Sequence, residues 1–399
     1  MQTCFFYFNY MKHFILLGAL ALFLMGCFDA KQLSENSVPK NVIDSSEVVD
    51  LEMALSRPSV SLEKISREIS IVPLETNSES ILSNVKKVAV SDRYIYIIDN
   101  FNGGRVSVFT IDGKFVRNLA QGQGPGEYLK AQSLHWNSSV QKLYVFDESI
   151  QKILVYSPDG IFEDGFMING WNTDAIILDN GILTSQSSRT NSSHVMMVGL
   201  CNSNGSRGLN WNLGGSLVKI VDSQSDFQYY DGGYLISKPY DNSIYYYKNS
   251  QVYRRYLLAL PQNGSYGQFD DFSKLRAVMT DQDCFFEGRN YETSNYLLIT
   301  YMQKKAAGVI AFNKKTDASY RLSVGDPNFV LARMQIKNVV SAGNDRLVGV
   351  VDIGMFGMSK FPVWSNPNNL ISPSDMEKLR NVKPDDNPII VLFKLKSDI

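Results

Sequence analysis

The chain has 399 residues, with 39 Lys and Arg against 40 Asp and Glu, a formal net charge of −1. That balance excludes nucleic-acid binding driven by bulk positive charge. A content of 44% hydrophobic and 20% charged residues excludes a disordered chain and a polytopic membrane protein.

The first recognisable element is a leader. Lys12 and His13 precede an unbroken apolar run from Phe14 to Met25, too short to cross a bilayer as a helix but the right length for the core of a secretion signal. It ends in Leu24-Met25-Gly26-Cys27, which resembles a bacterial lipobox. Small Gly26 gives a peptidase access to the backbone, and the Cys27 thiol is the group that would accept diacylglycerol. The expected organisation is a signal peptide over residues 1–26 with its functional start at Met11, a flexible polar tether over 27–47, and one folded domain over 48–399. A lipid anchor at Cys27 would hold the mature chain to the bacterial cell envelope, with the outer membrane as the expected site.

The folded region is repetitive. Ser91-Asp92-Arg93, Asn137-Ser138-Ser139, Asp179-Asn180-Gly181, Asp231-Gly232-Gly233, Glu292-Thr293-Ser294 and Gly343-Asn344-Asp345 are turn clusters 42 to 61 residues apart. Each separates two apolar runs, as tight hairpin turns do. The runs that follow, such as Tyr94-Ile95-Tyr96-Ile97-Ile98 and Lys142-Leu143-Tyr144-Val145-Phe146, are rich in aromatic and β-branched residues. Third and fourth runs follow, for example Arg105–Phe109 and Phe115–Leu119. Four strands per unit at this period predict the blades of a six-bladed β-propeller. The sixth unit is one strand short, ending at Pro388–Leu395, whereas a spare strand, Ile69–Leu74, precedes the first unit. Pairing of residues 69–75 with 388–396 would close the ring and leave no open edge. Two stretches with helical spacing, 270–279 and the segment opening at Ser372-Pro373-Ser374-Asp375, read as insertions lying on the propeller.

Taken together, Gly122-Gln123-Gly124-Pro125-Gly126-Glu127-Tyr128, Leu143–Asp147 and Ile153–Gly160 resemble an NHL-type repeat. Ile71–Thr76 and Asp386–Leu392 resemble the bacterial six-bladed β-propeller lipoproteins found in gut anaerobes, and the likeness covers residues 48–399. The resemblance implies a fold and an envelope address. It brings no shared catalytic motif, because NHL-like propellers include lyases, esterase-like enzymes and binding modules.

The chemistry-bearing residues are sparse. The glycines of 122–128 are followed by a strand rather than a helix, so they shape the crossing between two blades instead of cradling a dinucleotide. His135 and His194 fall in different units and read as strand residues, and no cofactor motif is present. A cation held by one Asp per blade in the central channel stays open as an alternative. Cys4 precedes the functional start and Cys27 would carry lipid, so Cys201 and Cys284 remain, either paired or packed as small buried side chains. The Tyr229-Tyr230 and Tyr245-Tyr246-Tyr247 clusters read as packing between blades.

In a propeller the loops joining second to third strands share a face with the blade-to-blade crossings. That face is expected to carry the ligand site, with Asn102, Arg105, Gly124, Glu127, Tyr128, Asp147, Asp241 and Lys304 as its candidate residues. The sequence therefore predicts a lipid-anchored, non-catalytic binding or scaffold module for an envelope protein or glycan, with no nucleic-acid partner. The alternative is an NHL-like hydrolase or lyase with a channel metal, which would need convergent carboxylates at the channel mouth.

Overall fold

The computed structural model describes residues 40–397, apart from 101–102, 190–193, 204, 216–225, 262–271, 304–305, 324, 341–344 and 354–362. Its sheets are the six expected blades, each of four antiparallel strands. Blade 1 comprises Val85–Val90, Tyr94–Asp99, Arg105–Thr110 and Phe115–Asn118; blade 2 comprises Ala131–Asn137, Lys142–Asp147, Lys152–Tyr156 and Phe162–Met167. Blade 3 is Asp174–Leu178, Gly181–Arg189, His194–Cys201 and Arg207–Gly215; blade 4 is Asp226–Tyr230, Gly233–Ser237, Ser243–Lys248 and Gln251–Ala259. Blade 5 is Cys284–Glu292, Tyr296–Gln303, Ala307–Asn313 and Ala318–Ser323. The first strand of each blade touches the first strands of its two neighbours, so six strands surround one axis.

Blade 6 closes the ring as the end-to-end pairing requires. Its strands are Met334–Val340, Arg346–Val351 and Ile389–Leu395, completed by Ser66–Pro73 from the other end of the chain. The register runs from Ile389 opposite Pro73 to Leu395 opposite Ser66. Among the described residues the turn clusters fall between first and second strands, on the face opposite the blade-to-blade crossings. Apolar clusters fill the spaces between neighbouring blades. Ile97, Phe109 and Val348 meet between blades 6 and 1, and Tyr96, Leu143 and Leu154 between blades 1 and 2. Alternation of side chains across each strand supplies both faces of a blade with apolar groups.

Before entering blade 6 the chain follows the outer rim. The Lys40 amide donates to the Asn210 carbonyl (2.8 Å) on blade 3. Ile43–Asp50 then pairs in parallel with the outer strand of blade 4, from Ile43 opposite Tyr253 to Asp50 opposite Ala259. A short helix, Glu52–Ser56, leads to Val60–Ser61, which pairs in parallel with the outer strand of blade 5. Residues 40–47, expected in the tether, therefore belong to the fold, while residues 27–39 of that segment lie outside the described residues. The mostly polar side chains of 43–47 point to a tether by composition, but the open edge of blade 4 offers backbone partners that composition does not reveal. Val49, Leu51 and Ala54 are fully buried against blades 4 and 5, and an Arg254–Asp44 ion pair fixes the start of the strand.

Both expected insertion helices are present, as Phe272–Val278 and Pro373–Asn381. In the second, the Ser372 hydroxyl caps the helix by accepting from the Asp375 amide (3.1 Å). Asp375 Oδ2 in turn accepts from the Ile71 amide (3.2 Å), so this helix docks on the closing strand. Cys201 and Cys284 are both buried and are not joined in a disulfide, and burial pushes the Cys284 thiol up to about 12. The tyrosines of 245–247 are buried as blade packing, with the Tyr245 hydroxyl donating to the Leu213 carbonyl of blade 3 (2.8 Å).

Candidate functional site

The residues expected on the ligand face mostly bind the chain to itself. Asn102, Lys304 and Cys27 lie outside the described residues. Arg105 pairs with buried Asp99 (3.7 Å) and donates to the carbonyls of Glu79 and Ile81 in the crossing into blade 1. Glu127 accepts from the Gly124 amide (2.8 Å), closing the glycine-rich turn on itself. That turn is the crossing from blade 1 to blade 2, and a side chain at Gly126, where φ is +79°, would collide with the Phe162 ring. Tyr128 is fully buried, and its hydroxyl accepts from the Val106 amide (2.8 Å). Asp147 is also fully buried and accepts from the amides of Lys130 (3.0 Å) and Ser149 (2.8 Å). Asp99 does the same for the preceding blade, accepting from Ser83 (3.1 Å) and Asn84 (2.9 Å). In both blades the last residue of the second strand fixes the crossing that leads into the inner strand. Asp241 lies 3.4 Å from the Lys238 ammonium in a buried pair, where burial pushes the carboxyl up and the ammonium down.

The same face also carries a cavity on the axis. It measures about 340 Å³ and opens at the channel mouth, where the inner strands begin. Blade 1 contributes Lys86 and Lys87, blade 5 contributes Glu287 and Arg289, and blade 6 contributes Lys337. Opposite them stand Gln132 and Ser133 of blade 2 and Asp174 of blade 3. Asp174 is buried, with Lys87 Nζ 3.6 Å and His135 Nε2 3.4 Å from its oxygens and the Ser133 hydroxyl donating to it. Burial alone would push this carboxyl up. The Lys87 and His135 charges and the two hydrogen bonds prevail and hold it well below the usual carboxylate range.

Lys86 and Lys337 behave differently. Lys86 Nζ donates to the neutral Gln132 Oε1 (2.6 Å), and Lys337 makes no ion pair or side-chain hydrogen bond among the described residues. Desolvation, reinforced by Lys87 and Lys130, lowers the Lys86 ammonium to about 8. Desolvation, reinforced by Arg289, does the same to Lys337, again to about 8. At Gly288, where φ is +81°, a side chain would run into the Pro239 backbone of the preceding blade. The strand bulges between Phe286 and Asn290, so Glu287 and Arg289 both line the mouth.

Sequence reasoning did not single out these cavity-lining residues, because it looked for a ligand face in loops. The signal was present in the inner strands. Lys86-Lys87 interrupts the apolar run Val85–Val90, and Lys337 interrupts Met334–Val340. Among the described residues no group of three or more His, Cys, Asp or Glu is placed to hold a metal ion.

A family model, described as a domain of unknown function (DUF4934), matches residues 46–394. The chain belongs to the DUF4934 family. No curated protein matches this DUF4934 chain. Among solved structures it is similar to a protein of Bacteroides fragilis provisionally described as exported, at 18% identity and a TM-score of 0.65. That match covers 88% of this chain and 100% of the other. A member of the DUF4221 family from Bacteroides vulgatus matches at 8% identity and a TM-score of 0.49, over 83% of this chain and 97% of the other. At such identities the first likeness concerns the fold alone.

Proposed function

We propose that this DUF4934 chain is a lipid-anchored envelope protein that binds, without catalysing a reaction, a protein or glycan at the axial mouth of its propeller. The observation that carries this reading is the cavity of about 340 Å³, lined by side chains from several blades. Ligand sites are typically concave, largely preformed and furnished with a few convergent polar groups. The mouth sets four basic side chains against two carboxylates, so the convergent acidic ligands that a metal-dependent hydrolase or lyase would need are not gathered there. The NHL-like segments agree with a propeller of this kind. The anchor rests on Leu24-Met25-Gly26-Cys27 following its apolar run.

Two measurements test the proposal. Metabolic labelling with an alkyne fatty acid should mark the wild-type protein and not the Cys27→Ser variant; equal labelling would refute the anchor. Crosslinking from a photoreactive residue at Gln132, read by mass spectrometry, should recover an envelope protein or glycan. The same residue placed at exposed Ser138, on the opposite face, should not. Equal yields from both positions would refute the site.

A further inference from the structure

We infer that the channel mouth is an anion site, which takes a carboxylate- or phosphate-bearing ligand of at least two negative charges between Lys86, Arg289 and Lys337. This inference rests on the mouth being the ligand site and specifies what enters it.

The argument begins with the distribution of charge. Blades 5, 6 and 1 are consecutive around the ring, and their inner strands place Arg289, Lys337, Lys86 and Lys87 on one arc of the cavity wall. The facing arc, from blades 2 and 3, offers the neutral Gln132 and Ser133 and a single carboxylate, Asp174. That carboxylate is already engaged by Lys87, His135 and Ser133. Glu287 is half-buried beside Arg289; burial pushes its carboxyl up, and the Arg289 charge opposes that shift. Internal pairing thus consumes Lys87 and leaves Lys86 and Lys337 without a carboxylate partner within ion-pair distance among the described residues.

Two ammonium groups gathered in a partly desolvated cavity cost the empty fold stability, because burial and like charge both disfavour the charged form. Around each of them the like charges weigh more than the opposite ones, although they do not outnumber them. Lys86 is influenced by Lys87 and Lys130 against Asp174 and Glu148, and Lys337 by Arg289 against Asp352. A ligand carrying two negative charges would offset that cost and find donors on three blades. The volume of about 340 Å³ is of the order of an acidic disaccharide or a pair of phosphate groups. A neutral sugar of the same size would leave the cations uncompensated.

The test is calorimetric titration of the purified protein with inorganic pyrophosphate, digalacturonate and the neutral disaccharide cellobiose, at low and high salt. One of the two anions should bind at a 1:1 ratio, more weakly at high salt, and at least tenfold more weakly in Lys86→Gln and Lys337→Gln. Pyrophosphate alone would identify a phosphate ligand, and digalacturonate alone a carboxylate ligand. Each variant should melt at or above the wild-type temperature, since it removes an uncompensated charge. Variants that melt well below wild type would mark structural lysines and overturn the inference. If cellobiose binds and Lys337→Gln does not change its affinity while Gln132→Ala abolishes it, the anion assignment fails and the site survives. Anions bound equally by wild type and both variants overturn the inference and the site together. Failure of both anions to bind overturns the inference.

Discussion

Lys87 of blade 1 stands 3.6 Å from the buried carboxylate of Asp174 on blade 3, joining two inner strands across the intervening blade. This pair, with His135 and Ser133, is the electrostatic floor of the channel mouth. Removing the carboxylate leaves two basic groups in a desolvated place. The Asp174→Asn substitution should therefore destabilise the fold by roughly 3 kcal/mol near pH 7. Urea unfolding would measure it. The folded-state pKa of Asp174 is depressed, so its contribution is fully present above the unfolded value of 3.8. It is lost progressively as pH falls below that value, because the unfolded chain takes up the proton first. The stability gap between wild type and Asp174→Asn should thus narrow below about pH 4. A gap that stays constant down to pH 2 would contradict the assignment.

The two uncompensated lysines give an opposite pH signature. Lys86 and Lys337 are lowered to about 8 from the ordinary lysine value of 10.5. Between those values the unfolded chain holds protons that the folded chain has released, so raising pH through this window stabilises the fold. The double variant Lys86→Gln/Lys337→Gln lacks both groups. Its stability advantage over wild type should be largest below pH 8 and shrink towards pH 10. Thermal melts of the two proteins across pH 7 to 10 would show this. Anion binding should run the other way, weakening as pH rises through 8 and the ammonium charge is lost.

The rim segment supplies a packing test. Leu51 is fully buried among the side chains of blades 4 and 5, and its amide donates to the Ala259 carbonyl (3.0 Å). Leu51→Ala would lose buried methyl groups and leave a cavity, at a cost of about 2–5 kcal/mol. The loss should appear as a lower urea midpoint with little change in slope. If Leu51 only lay loosely along the rim, the substitution would be neutral.

What the sequence revealed and what it concealed follow from the same physics. The blades were legible because period-two runs and turn clusters recur, and the closing pair of strands because one unit lacked what the other end supplied. The strand Ile43–Asp50 was not legible, since residues 43–47 are mostly polar and the strand is held largely by backbone bonds to an edge. The axial cavity was concealed for a related reason. Arg105, Glu127, Tyr128 and Asp147 are polar residues in or beside loops, the usual sign of function. In this fold they satisfy backbone groups at the crossings. The residues that line the cavity sit in inner strands, where a Lys reads as an interruption until the axis is known.

That division of labour can be tested at Asp147. Its carboxylate accepts from the amides of Lys130 and Ser149, and it is fully buried. Asp147→Ala would leave those amides without their partner at the entrance to blade 2, a loss of about 1–3 kcal/mol. Asp99→Ala should cost a similar amount, because it removes the same kind of bond to Ser83 and Asn84 and also strands Arg105. If Asp147 served the ligand directly, its removal would abolish binding while leaving the melting temperature unchanged. If it serves the fold, the melting temperature falls and the affinity of the folded protein for its anion stays within a few-fold of wild type. Calorimetric titration below the lowered melting transition separates these outcomes. The second is expected, since the carboxylate faces the crossing and the cavity is lined by the neighbouring inner strand.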